Sequence, residues 1–325
     1  MKNFRLPLPL ALLALTAAAL AADKPVLVPG ASIELKGSTG KSDFLQVDAV
    51  NRRLLGAHEK DDTLDLFDLD THKLIARVKL GGVVEALLDA KTGRYFVSVQ
   101  DEKKVVVLDA KTFKEVGTAM FDGEIDAICL DPKHRRLYVG HDNGTHLWAI
   151  DLDTLKPAGE ITIPGAPECM AYDAAAGRIY LAIKTTHQVV AIDTEKNAIV
   201  ATWPLAPATG PHGVGFDAKA GRLFVAGDNG QLVALDVTTG KVVATAKITP
   251  TVDQLAYDPA LRRIYCAGPD WMSVVEFKAD GSLAPLGNVP TAATAKNVAV
   301  DPKTHAVWST FTDGKNAFAK SWKQP

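Results

Sequence analysis

Asp43, Asp126, Glu168, His212, Asp253 and Lys296 share one register of this sequence: each lies five residues before an aspartate that recurs along the chain. The seventh position of that register is Val84, with Glu85 one residue further on. Carboxylates gathered around an imidazole are a cation-binding chemistry. Carboxylates alone suit Ca²⁺ or Mg²⁺, and carboxylates with histidine suit a transition metal, which makes Asp43, Asp126, Glu168, His212 and Asp253 the candidate ligands of a divalent ion. If these groups converge, mutual repulsion raises the carboxylate pKa values and favours the His212 cation. Lys296 offsets part of the negative charge, and without a bound ion the same residues form a hydrated acidic surface. A second set, His58, His141 and His187, lies in polar stretches between apolar runs. His58 and His141 each follow a recurring aspartate by ten residues and are expected to stand over the first set, near Asp43 and Asp126.

What must bring these residues together is the repeat itself. The recurring aspartates are Asp48, Asp89, Asp131, Asp173, Asp217, Asp258 and Asp301, at spacings of 41, 42, 42, 44, 41 and 43 residues. Arginine follows five positions later in six of the seven, as Arg53, Arg94, Arg136, Arg178, Arg222 and Arg263. A short apolar run comes next, carrying Tyr95, Tyr138, Tyr180, Phe224, Tyr265 or Trp308. A fixed period of this length, built only from short β-type segments, predicts an all-β, seven-bladed β-propeller.

One repeat shows how a blade is built. Ile125–Leu130 reads as a first strand, stopped by Asp131-Pro132, because proline cannot donate to a ladder. Arg136–Gly140 is a second strand, and Asn143-Gly144 signals the hairpin that leads to a third over Thr145–Ile150. Ala158–Ile163 is the fourth, so each blade has four antiparallel strands. The recurring aspartates are expected to bind amides of their own turns and the arginines to pair with nearby carboxylates. The last repeat supplies only three strands before Pro325. The segment from about residue 31 to Gly37 resembles the fourth strands of other repeats. The mature N-terminus is therefore predicted to complete blade seven and remove the open sheet edge.

The chain opens with Lys2 and Arg5, an apolar run from Leu6 to Leu20, and Ala19-Leu20-Ala21. That order predicts a cleaved export signal over residues 1–21, a single domain over 22–325, and a periplasmic or secreted location. Loss of Lys2 and Arg5 takes the formal net charge from −2 to −4, so net charge does not indicate nucleic acid as a partner. No other apolar segment approaches membrane-spanning length. The three cysteines, Cys129, Cys169 and Cys266, sit in apolar strands and read as buried hydrophobes, with a Cys129–Cys169 disulfide as the alternative. No Cys-x-x-Cys-His is present, which excludes covalent c-type haem attachment. Nucleophile-elbow, zinc-protease and phosphate-loop motifs are likewise missing.

The stretch from Arg222-Leu223-Phe224-Val225-Ala226-Gly227 to Leu235-Asp236-Val237-Thr238-Thr239-Gly240-Lys241-Val242-Val243-Ala244-Thr245 resembles the YVTN-type β-propeller repeat. The likeness runs from about residue 32 to 322, with the repeats around Gly281 and Ala319 departing most. The resemblance implies an exported bacterial seven-bladed propeller. Related propellers include quinoprotein and haem-d1 enzymes, lactonases and streptogramin-lyase-like enzymes, and one is associated with single-stranded DNA. Two functions follow as expectations. The first is a monomeric, non-catalytic module that binds a small ligand or a protein through the channel-mouth face. The second is an enzyme, either a metal- and histidine-dependent lactonase or lyase, or a dehydrogenase-like propeller with a non-covalent cofactor.

Overall fold

The computed structural model describes Met1, residues 25–38 and residues 42–325. The predicted leader therefore lies, Met1 apart, outside the described residues. Twenty-eight strands, β1 to β28 in chain order, form seven four-stranded antiparallel sheets. The innermost strand of each blade is β2 (Leu45–Asp48), β6 (Val83–Asp89), β10 (Ile125–Asp131), β14 (Pro167–Asp173), β18 (Pro211–Asp217), β22 (Gln254–Asp258) and β26 (Ala299–Val300). Each touches the next around the ring, and β26 touches β2. The third repeat follows its expected strands within about a residue at each end, with β10 followed by Arg136–His141, His146–Asp151 and Pro157–Thr162.

Blade seven draws its outer strand from the start of the chain. β1 (Val28–Leu35) pairs antiparallel with β28 (Ala317–Lys323), from Val28 opposite Lys323 to Leu35 opposite Ala317. The strand begins about three residues earlier than the sequence pattern suggests. The ladder continues past the irregularity between Pro29 and Ser32, where Ser321 Oγ accepts the Ala31 amide at 2.8 Å.

Rings in the second strands fill the space between blades. Tyr95, Tyr138, Tyr180, Phe224 and Tyr265 are fully buried and Trp308 nearly so. Burying such a ring contributes roughly 1.5–3 kcal/mol. The recurring aspartates do hold their own turns, as when Asp48 accepts the Asn51 amide at 2.8 Å. They also do something no single repeat announces, which is to tie each blade to the next. Tyr95 Oη donates to Asp48 at 2.5 Å, Tyr172 Oη to Asp131 at 2.8 Å and Tyr257 Oη to Asp217 at 2.6 Å. Arg135 grips Asp89 at 3.0 and 2.8 Å, His305 Nδ1 lies 2.7 Å from Asp258, and Arg52 grips Asp301 at 2.6 and 2.7 Å. Asp173 departs from the pattern, bonding Tyr180 of its own blade.

The recurring arginines behave differently from expectation. Arg222 pairs with a carboxylate, Asp236, at 2.6 Å. Arg53 and Arg136 instead donate to the carbonyl oxygens of Ala110 and Thr194 in the following blade. The arginines that join carboxylates across blades are Arg52 and Arg135, one residue earlier. Both have left-handed backbones, with φ of 57° and 55°, in the turn before the second strand.

Candidate functional site

A backbone irregularity delivers the candidate residues to the channel. In blades three, four and five the first strand carries one extra residue against its partner. Ile125 and Ile128 oppose His141 and Val139, Pro167 and Met170 oppose Ile183 and Leu181, and Pro211 and Val214 oppose Gly227 and Val225. A bulge of this kind bends the strand and re-aims side chains. Asp126, Glu168 and His212 are the first residues inside these three bulges. In blade two the extra residue lies between Val83 and Glu85, one position away. Val84 then occupies the shared register, and Glu85 returns to the ladder opposite Ser98.

Asp43, Asp126, Glu168, His212, Asp253 and Lys296 all line one cavity of about 280 Å³. Glu59, Gln100, Asp142, Asn143, Lys184 and Asn297 share its wall, with Phe44 and Gln254. Six carboxylates thus face three cationic side chains. His212 sits at the centre of the charge. Its Nδ1 lies 3.2 Å from Glu168 and 3.4 Å from Asp253, and its Nε2 lies 3.4 Å from Asp228. Nδ1 meets these carboxylates as an ionic contact rather than as a well-aligned hydrogen bond. Burial alone would lower the His212 pKa, but Asp253, Glu168 and Asp228 outweigh it and push the value up to about 10. The imidazole is therefore protonated at neutral pH. Lys184 Nζ reaches Glu168 at 3.0 Å, and Lys296 Nζ lies 3.9 Å from Asp253. Burial, followed by the charges of Glu168, Asp43 and Asp142, pushes the Asp126 carboxyl well above the usual range.

Burial and the neighbouring carboxylates thus raise the Asp126 pKa, and the carboxylates around His212 favour its cation. The metal reading does not follow from this. Among the described residues, no group of three or more His, Cys, Asp or Glu side chains is arranged to hold a metal ion. Two of the candidate ligands already have cationic partners, Glu168 in Lys184 at 3.0 Å and Asp253 in Lys296 at 3.9 Å.

The histidine set is not where its register placed it. His58 ends the strand β3 (Arg53–His58) and is fully buried inside blade one. Its Nδ1 lies 3.0 Å from Asp65, without the alignment of a hydrogen bond. His141 stacks beside Trp148, ring centroids 4.8 Å apart, with His146 at 5.8 Å, and does not line the cavity. His187 is exposed, and its Nδ1 accepts the Gly210 amide at 3.0 Å. The residues that reach the mouth stand eleven positions after the recurring aspartates, not ten. They are Glu59, Gln100, Asp142 and Lys184, with Asp228 touching His212. Position ten is the last residue of the second strand, and position eleven is the first residue of the connection that follows it. The signal available in sequence was that position eleven is polar in all five of these blades.

Glu85 is drawn away from the mouth. It is 4% exposed and lines a separate cavity beneath. All three cysteines are free and buried, so the disulfide alternative is not adopted. Among the described residues, no helix is long and apolar enough to cross a membrane.

No protein-family model matches this chain, and no curated protein matches it in sequence. Solved structures do. A chain in the crystal structure of a mitotic checkpoint complex superposes with a TM-score of 0.78 at 15% identity, covering 97% of this chain and 99% of that one. A chain of Kuenenia stuttgartiensis hydrazine synthase gives 0.75 at 12% identity, covering 88% and 96%. At these identities the likeness is one of fold. The chain is a seven-bladed β-propeller, an architecture commonly used as an interaction scaffold.

Proposed function

We propose that this chain is an exported, monomeric binding module whose channel mouth takes a small hydrophilic cation. The observation that carries the reading is the convergence of six carboxylates on one cavity against only three cationic side chains. A diammonium ion would relieve repulsion that the protein's own cations leave in place. Specificity on such a scaffold belongs to the positions that vary between repeats, and these are the positions that vary. The enzyme reading draws less support. Burial pushes the thiols of Cys129, Cys169 and Cys266 upward, and His212 is charged, so none offers a nucleophile or base at neutral pH.

Putrescine titrated into the purified protein by calorimetry is the test. Binding should strengthen as pH is raised, because a cation seated beside Asp126 displaces the proton its raised pKa retains. Asp126→Asn with Glu168→Gln should weaken it about tenfold or more. Absence of heat at millimolar putrescine, or unchanged affinity in that variant, rejects the reading. Export is checked separately: protein recovered from the cell envelope should begin at Ala22 within a residue or two. Intact Met1 on cytosolic protein would rule it out.

A further inference from the structure

The channel is partitioned, and a second cavity of about 370 Å³ lies on the far side of the partition. Phe44 and Gln254 line both cavities and form the dividing wall. Gln254 is held rigidly for that role. Its carboxamide accepts the Leu45 amide at 3.0 Å and the Val298 amide at 3.2 Å, and donates to the Leu45 carbonyl at 2.9 Å. It thereby imitates a strand neighbour across the short β26. The mouth cavity is lined by residues at or just before the start of the inner strands and by residues just after the second strands. The second cavity opens among Ala49, Pro259 and Pro302, each of which immediately follows the aspartate closing an inner repeat segment. It therefore faces the opposite end of the propeller.

Its lining is of another kind. Met170, Val214, Leu255 and Val298 give it an apolar wall, and Tyr257 stands in it with its hydroxyl turned away to Asp217. Two carboxylates line it, Asp258, which has His305 Nδ1 at 2.7 Å, and Glu85. Gln46 Nε2 donates to one Glu85 oxygen at 2.5 Å and the Ile128 amide to the other at 2.8 Å. Among the described residues neither partner is a cation, and each oxygen keeps a further lone pair. A buried carboxylate without a counter-charge is unfavourable, and a ligand cation would supply one.

We infer that this second cavity is a binding site for a small amphipathic amine, its ammonium on Glu85 and its apolar body against Met170, Val214 and Leu255. The site is distinct from the mouth and shares only Phe44 and Gln254 with it. Burial pushes the Glu85 carboxyl up to about 7, so it is largely ionised at pH 8, where the ligand amine is still protonated.

The test is calorimetric titration of the full mature chain at pH 8 with 2-phenylethylamine. One site per chain is expected, with 2-phenylethanol, the same body without the charge, binding at least about tenfold more weakly. Glu85→Gln, which still accepts the Ile128 amide, should lose about tenfold or more. Val214→Trp should abolish binding by filling the cavity while leaving Glu85 untouched. Melting profiles establish that each variant is folded. Wild-type affinity retained by either folded variant would place the amine elsewhere and overturn the inference. So would equal affinity for the amine and the alcohol, or no heat from the wild type, and these two outcomes need no variant.

Discussion

Deletion of residues 22–37 should lower the melting temperature by about 10 °C or more and make the protein prone to aggregate. This segment contains all of β1, whose six paired positions cover one edge of β28. It also carries Leu27 and Leu35, both almost fully buried, the first against Tyr265 and Trp322, the second against Leu54 and Phe67. Full burial of two leucines is worth roughly 3–6 kcal/mol. For a chain of this size each kilocalorie corresponds to about 2–4 °C. The truncated protein would also expose the backbone of β28 as an unpaired edge, a template for association with other chains. Differential scanning calorimetry and light scattering measure both effects. A truncated protein that melts within about 2 °C of the intact one, and stays monodisperse, would show that blade seven does not depend on β1.

Asp65→Ala is expected to destabilise the protein by about 1–3 kcal/mol, since it leaves the buried His58 ring without its carboxylate partner and frees Arg77. Asp65, fully buried on β4 (Thr63–Asp68), receives Arg77 Nε at 2.9 Å and Nη2 at 3.1 Å, and faces His58 Nδ1 at 3.0 Å. Gly56 is its direct partner across the ladder, so His58 reaches it diagonally, two residues further along the same face. Burial pushes the Asp65 carboxyl upward, yet His58 and Arg77 outweigh it and hold it below the usual range. A depressed carboxylate contributes stability that is present above its unfolded pKa, about 4, and lost as pH falls through the folded value. Asp301 obeys the same sign, held at about 2 by Arg52 and Thr304 against the opposing effect of burial. The wild type should therefore lose stability between about pH 4 and pH 2, and the difference between it and Asp65→Ala should shrink over that range. Urea unfolding at pH 7 and pH 3 decides the matter. A loss below about 1 kcal/mol at pH 7, or one that does not change with pH, would mean that the cluster has no stabilising role.

The architecture was legible because its determinants are local. Asp-Pro turns, Asn143-Gly144 and period-two apolar runs act within a few residues, and repetition at a spacing near 42 multiplies the signal. The convergence of Asp43, Asp126, Glu168, His212, Asp253 and Lys296 was legible for the same reason, since a shared register on a closed ring becomes a shared place. Other features depended on tertiary structure. One bulged residue, in blade two as against blades three to five, separates Glu85 from its counterparts and sends it to the second cavity. The end of a strand separates buried His58, its last residue, from Glu59, which opens the turn at the mouth. The ties from Tyr95, Arg135, Tyr172, Tyr257, His305 and Arg52 to the preceding blade's aspartate join residues 40 to 249 positions apart. Such pairings depend on how far apart and at what angle two blades pack. That geometry is set by buried rings and by the closed circle as a whole, and no single repeat contains it.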